Sequence, residues 1–337
     1  MTLLATVIIF GLLIFIHELG HFIVAKRAGV YVEEFSLGMG PKIVSRQKGE
    51  TLYSLRALPI GGFVRMGGME SDLEVPEGQG FNDKTVLARM SVIFAGPLMN
   101  FILAVILFVV VFMVLGVPSD ANVVGRVLPD KPAAEAGLMA GDRITAVDGQ
   151  KVTNWMDLVR IIHNKADQEI SLSIVRNGDE REFTAVPQLD PEYNVGLIGI
   201  EQSWERHGLF GAIWLGLEQS YEITKLILVG FIQTFTGQIE AEVSGPVGIY
   251  SLVGQAMKFG FGTLLNFTAL LSLNLGLINL FPIPALDGSR LVFLGFEGLR
   301  GRPLDPDKEN MIHLIGFALL MMLIIVITYN DIAKLLG

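Results

Sequence analysis

The sequence predicts an α-helical polytopic membrane protein with about four transmembrane helices, a membrane-associated β region and one inserted α+β domain. Three observations predict it. Of 337 residues, 51% are hydrophobic and only 18% charged, with a mean hydropathy of +0.53. Four apolar runs approach or exceed the ~20 residues that a spanning helix needs. Between the second and third runs the pattern changes to short strand-like and helix-like stretches separated by turn residues.

The first span occupies residues 1–25 and is followed at once by Lys26 and Arg27. A cleaved signal peptide would need a basic segment ahead of the apolar run, and Met1-Thr2 offers none, so a retained helix is expected. Residues 26–90 form a membrane-associated β region and loop. Short alternating runs between Glu33 and Arg65, punctuated by Gly38, Gly40, Gly61 and Gly62, suggest strands and tight turns. Residues 69–90, with Pro76 and Gly78, read as an acidic loop. The second span, 91–116, is uncharged but contains Gly96, Pro97 and Asn100.

Residues 120–190 carry the α+β pattern, with strands at 123–127, 143–147 and 170–175 and helices at 132–137 and 154–163. In the 191–260 linker, Phe210, Trp214, Leu217, Tyr221, Leu228 and Ile232 recur at helical spacing. Glu218, Glu222 and Lys225 fall elsewhere on the wheel, the pattern of a helix lying at the membrane surface. Residues 261–288 hold the third span and a proline-rich exit, 289–310 a loop, and 311–337 the fourth span and tail.

Charge orients the chain. Segment 26–89 holds nine Lys/Arg and 290–308 holds four, so both basic loops are expected in the cytoplasm. The net charge of −9 resides in the middle: residues 117–260 carry 11 Lys/Arg against 19 Asp/Glu. No basic stripe suits nucleic acid. Without cysteine the chain has no disulfide, thiolate ligand or cysteine nucleophile.

The chemistry begins at His17-Glu18-Leu19-Gly20-His21. At 3.6 residues per turn, His17 and His21 lie one turn apart on one helix face, so two imidazoles reach one ion. Glu18, offset by about 100°, is placed as a general base. Charged groups at a helix centre cost about 2.5–3.5 kcal/mol each even on lenient scales, so snorkelling or packing alone does not account for this spacing. Catalytic zinc takes three protein ligands and leaves a position open. His163, His207 and His313 are candidates for the third, but the first two belong to the middle domain and its exit. Asp287 is better placed, in Asn279-Leu280-Phe281-Pro282-Ile283-Pro284-Ala285-Leu286-Asp287-Gly288, where two prolines prevent regular helix. Spacing alone also allows a plain turn aspartate there, and Asn279 as a helix-packing residue.

With both motifs in view, the chain resembles the site-2 protease family of intramembrane zinc metalloproteases, of the bacterial regulator of sigma-E protease type. H-E-L-G-H is similar to the family's first metal motif and N-x-x-P-x-P-x-L-D-G to its second. Phe35–Pro41, Pro59–Met66, Phe94–Phe101 and Ser244–Ile249 resemble further landmarks, in order. The resemblance implies Zn2+ held by His17, His21 and Asp287, catalysis by Glu18, and Asn279 near the substrate backbone. It also implies Gly38, Gly40, Gly61 and Gly62 in a region that receives an unwound substrate, although hairpin turns alone explain these glycines equally well.

The middle domain resembles a single PDZ domain, through 132–138 and 141–144. Val123, Val124, Gly125 and Val127 are the expected peptide-binding edge. Implied partners are membrane lipid and single-span membrane proteins such as anti-sigma factors or signal-peptide remnants, in a bacterial inner membrane. The zinc site would lie toward the cytoplasm and the PDZ domain outside. Two other classes use some of these features. A metal transporter has no need of Glu18, and a silent PDZ scaffold has no need of zinc.

Overall fold

The computed structural model describes residues 1–69, 75–191, 193–239, 244–303 and 305–336. Its elements are, in order, α1 (Thr2–Arg27), β1 (Val32–Lys48), β2 (Thr51–Met66) and α2 (Val86–Val114). There follow β3 (Val117–Pro118), β4 (Val124–Val127), α3 (Pro132–Glu135), β5 (Arg143–Val147), β6 (Gln150–Lys151) and α4 (Trp155–His163). Next come β7 (Ile170–Arg176), β8 (Asp179–Ala185), β9 (Gln188–Asp190), β10 (Val195–Leu197), β11 (Ile200–Gln202) and β12 (Trp204–Glu205). The chain ends with α5 (Leu209–Phe235), α6 (Pro246–Lys258), α7 (Phe261–Asn279), α8 (Asp287–Arg300) and α9 (Pro306–Leu336). Contacts divide it into two units, residues 1–110 with 211–337, and residues 111–210.

In the first unit, α1, α2, α7 and residues 308–334 of α9 are long and apolar enough to cross a membrane. Leu3, Leu4, Ile8, Leu314 and Ile325 are exposed along them, apolar surface that only a bilayer or a partner covers. The 26 residues of α1 rise about 39 Å, and Lys26 and Arg27 in its last turn suit the negative end of the helix dipole. The second span starts at Val86, inside the stretch expected as an acidic loop; residues 70–74 of that stretch lie outside the described residues.

The β region doubles back on itself. Residues 34–37 of β1 pair with 52–55 on one side and with 62–65 on the other, and 42–48 pair with 51–56. Segment 62–65 is therefore an outer strand, with no further pairing partner among the described residues. Beneath it, Ala25, Val30, Val32, Met66, Phe81, Val92, Ile93 and Leu294 form one apolar cluster that joins α1, the sheet, α2 and α8.

The linker helix α5 packs on α2 through one narrow stripe. Its buried face is the small-residue stripe Ala212, Gly216 and Ser220, because a Cβ at Gly216 would already touch Val105 and Val109 of α2. The larger apolar side chains Phe210, Trp214, Leu217 and Tyr221 are left exposed.

The second unit is an α+β domain. Antiparallel β6-β5-β7-β8 form its main sheet, and Val124, Ile144, Leu158, Ile170, Leu172, Ile174 and Ile198 are its buried core. Asn154 caps α4 by accepting from the Asp157 N–H at 2.8 Å. The expected boundary at residue 190 is too early. β11 returns to pair with β4, and Ile198 is 2% exposed in the core, so 195–202 belong to the domain and not to a linker.

That return also corrects the expected peptide-binding edge. β4 has β11 on one side. On the other, Val123 bridges Arg143 and Val124 exchanges hydrogen bonds with Asp142 and Gly141. Val123, Val124, Gly125 and Val127 thus offer no open strand edge, since their ladder positions are taken within the domain. An ion pair with a buried carboxylate braces the fold: the half-buried Arg176 donates to Asp142 through Nε and Nη2, at 2.7 Å. Burial pushes the Asp142 carboxyl up, but the Arg176 hydrogen bonds, the Met139 N–H and the Arg176 charge outweigh it and hold it below the usual range.

Candidate metal centre

The helical repeat of α1 brings His17 and His21 into edge-to-face contact, ring centroids 4.8 Å apart, with their Nε2 atoms separated by 3.2 Å. After α7 ends at Asn279, residues 280–286 turn the chain and α8 begins at Asp287. This turn includes Ala285 with a left-handed φ of 77°, held by its N–H donating to His313 Nδ1 on α9 at 3.1 Å. The result aims Asp287 Oδ2 at both imidazoles, 3.1 Å from His17 Nε2 and 3.3 Å from His21 Nε2. Among the described residues, these three side chains form a group whose ligand atoms lie close enough together to share one metal ion. A tetrahedral ion with bonds of ~2.0–2.1 Å needs its ligand atoms roughly 3.3 Å apart, so the triangle fits zinc.

The second span supplies what sequence reasoning missed. His21 Nδ1 donates to Val92 O at 2.9 Å, and the fully buried Asn100 presents its amide to His17 Nδ1 at 3.2 Å. Gly96 makes room: a Cβ there would lie 2.3 Å from His21 Nε2. Glycine, proline and asparagine inside an uncharged span were the available signal, but nothing local said which helix they would meet.

The cluster opens on a cavity of about 640 Å³. Glu18, Asn279, Gly61, Gly62 and the outer strand residues 63–66 line it, as do Met39, Ala285 and Arg290. Gly62 sits against Glu18, where an added Cβ would come within 3.0 Å of Glu18 Cγ. Gly38 and Gly40 do not line this cavity; a Cβ at Gly38 would strike the Leu58 carbonyl inside the hairpin. His163 and His207 lie in the second unit, and His313 contacts the turn instead of the cluster. Behind the outer strand, Glu34 is buried and accepts from Ser54 Oγ at 2.6 Å and Arg56 Nη2 at 2.7 Å. Burial raises its carboxyl, and these bonds with the Arg56 and Lys42 charges more than compensate, leaving it below the usual range.

Comparison with known proteins agrees with this geometry. The family model described as Peptidase family M50 matches residues 5–323. Zinc metalloprotease RasP of Oceanobacillus iheyensis is 35% identical, over 99% of both chains. Regulator of sigma-W protease RasP of Bacillus subtilis is 34% identical, again over 99% of both. A putative zinc metalloprotease of Clostridium acetobutylicum is 40% identical over 97% of this chain and 96% of its own. Among solved structures, the PDZ domain of an SdrC-like protein from Listeria monocytogenes covers 25% of this chain and 88% of its own, at 27% identity and TM-score 0.22. With a family match over nearly its whole length and relatives at 34–40% identity, this chain belongs to peptidase family M50, the site-2 proteases.

Proposed function

We propose that this zinc metalloprotease hydrolyses peptide bonds in or near the transmembrane segments of single-span membrane proteins, with His17, His21 and Asp287 holding the ion. The observation that carries the reading is the convergence of these three groups, from the first span and from beyond the third, at the mouth of a cavity bordered by an open strand edge. A substrate helix hides its peptide bonds within its own hydrogen bonding, so it must unwind to be cut. The outward-facing N–H and C=O groups of residues 62–65, which have no strand partner among the described residues, can receive such an extended segment, and glycine at 61 and 62 lets backbone approach backbone.

A zinc ion held by His17, His21 and Asp287 would supply Lewis acidity for peptide hydrolysis. Glu18, one residue from His17 and facing the same cavity, accepts the proton released in the attack and delivers it to the leaving amine. Asn279, on the cavity wall, is the side chain to hydrogen-bond the substrate carbonyl or the developing oxyanion. The second unit is read as a PDZ domain that screens substrates outside the membrane.

Loop charge favours cytoplasmic placement of segments 26–89 and 290–308 in a bacterial inner membrane. The name of the Bacillus subtilis relative, a regulator of a sigma factor, supports single-span anti-sigma factors as a substrate class. The test is co-expression with tagged single-span proteins, comparing the intact chain with Glu18→Gln. The expected result is cleavage by the former only, with one zinc retained by both. Cleavage that survives Glu18→Gln would remove the assigned base.

A further inference from the structure

We propose that Asn100, in the second span, is a positioning residue that holds His17 in its ligating tautomer through its side-chain oxygen. The inference rests on the metal-site reading above. An imidazole nitrogen binds a cation only through its lone pair, so the proton must sit on the other nitrogen, fixed there by an acceptor. His21 meets this requirement, because Val92 O at 2.9 Å can only accept and therefore keeps the proton on Nδ1. His17 points its Nε2 at the same centre, 3.1 Å from Asp287 Oδ2, and needs an acceptor of its own. The group at its Nδ1 is the Asn100 amide, whose Nδ2 lies 3.2 Å away.

An amide nitrogen donates. In that orientation Nδ1 must accept, which leaves the His17 proton on Nε2, aimed at the cluster. A second observation points to the other orientation. Asn100 is 0% exposed, and its Oδ1 is buried with no hydrogen-bond partner, an arrangement that costs a buried acceptor its solvation. A half-turn of the amide exchanges two atoms of nearly equal size. Oδ1 then accepts from His17 Nδ1–H, and the Nε2 lone pair is free for the ion. The half-turn moves the unpartnered position from the oxygen to the amide N–H groups, and binding of the ion favours it because an imidazole bound to a cation is the stronger donor. The backbone at Asn100 is already anchored, since its carbonyl accepts from Ser272 Oγ of α7 at 2.7 Å.

The experiment measures zinc stoichiometry and apparent affinity of the purified full chain by competition with a chromogenic chelator. The forms compared are intact, Asn100→Ala, Asn100→Asp, Ser272→Ala and His17→Ala. Asn100→Ala should bind zinc about 10–100-fold more weakly. Asn100→Asp, whose carboxylate accepts, should bind as tightly as the intact chain or more so. Ser272→Ala, which removes a packing bond to the same residue, should lower the thermal midpoint and leave zinc affinity unchanged. Should Asn100→Ala fail to fold, Asn100→Asp against Ser272→Ala still decides. Unchanged affinity in Asn100→Ala, or Asn100→Asp weakened at least tenfold, overturns the proposal. If His17→Ala also binds like the intact chain, the metal-site reading falls with it; if His17→Ala loses zinc, only the role of Asn100 does.

Discussion

Replacing Gly96 by alanine tests the site through a single carbon atom. A Cβ at 96 would stand 2.3 Å from His21 Nε2, 2.5 Å from Cε1 and 2.9 Å from Cδ2. Non-bonded heavy atoms settle at ~3.5 Å or more, so the ring must retreat by about 1 Å. It cannot swing aside without breaking the Nδ1 bond to Val92. Metal–ligand distances tolerate only about ±0.2 Å, and a 1 Å misplacement in a catalytic site costs on the order of 10²-fold in rate. Gly96→Ala should therefore lose about two orders of magnitude in cleavage of a co-expressed single-span substrate, and its zinc should be stripped at lower chelator concentrations. Gly11→Ala on α1 is the control, since nothing lies within 4 Å of its Cβ position. Alanine is favoured over glycine in a helix by roughly 1 kcal/mol, so the control should be neutral or slightly stabilising. Gly96→Ala with full activity and intact zinc affinity would refute the packing of α2 against the ligand.

His313→Ala should keep its zinc, unlike Asp287→Ala, while the unsatisfied Ala285 N–H destabilises the turn by roughly 1–3 kcal/mol; equal zinc loss in both would restore His313 as a ligand. Gly62→Val should slow cleavage with zinc retained, because its side chain crowds Glu18, Ile14 and the Ser36 carbonyl, each within 3.0 Å of the Cβ position; unaltered cleavage would argue against the outer strand as the substrate's seat. In the second unit, Asp142 is more acidic folded than unfolded. Its contribution to stability is therefore complete above the ordinary aspartate range and drains away as pH falls below about 5. Emission from the buried Trp155 should report unfolding on acidification of the intact chain, and Arg176→Met should be less stable at neutral pH with a flatter acid dependence.

Much of this protein is legible residue by residue. The spacing of His17 and His21 is a property of one helix, and helical geometry sets it wherever the helix lies. Span lengths follow from bilayer thickness, and the strands at 143–147 and 170–175 follow from alternation and flanking turns. Each depends on neighbours within a few positions. The expected β11-free edge at 123–127 failed for the opposite reason: its partner, 200–202, lies more than seventy residues away, and no local pattern announces such a pairing. The large apolar side chains of 208–235 are legible as an outward face, but the small-residue stripe Ala212, Gly216 and Ser220 that packs on α2 is not, because close approach depends on the partner helix.

The sequence by itself determined that two imidazoles and a glutamate share one turn of a membrane helix, because that arrangement is local. Only the tertiary structure decided what surrounds them. Asp287 arrives from 266 residues beyond His21, Gly96 yields space to a ring on another helix, and Asn100 meets His17 across 83 positions. Contacts of that separation arise from the packing of whole helices, where small residues permit approach and buried polar atoms must find partners.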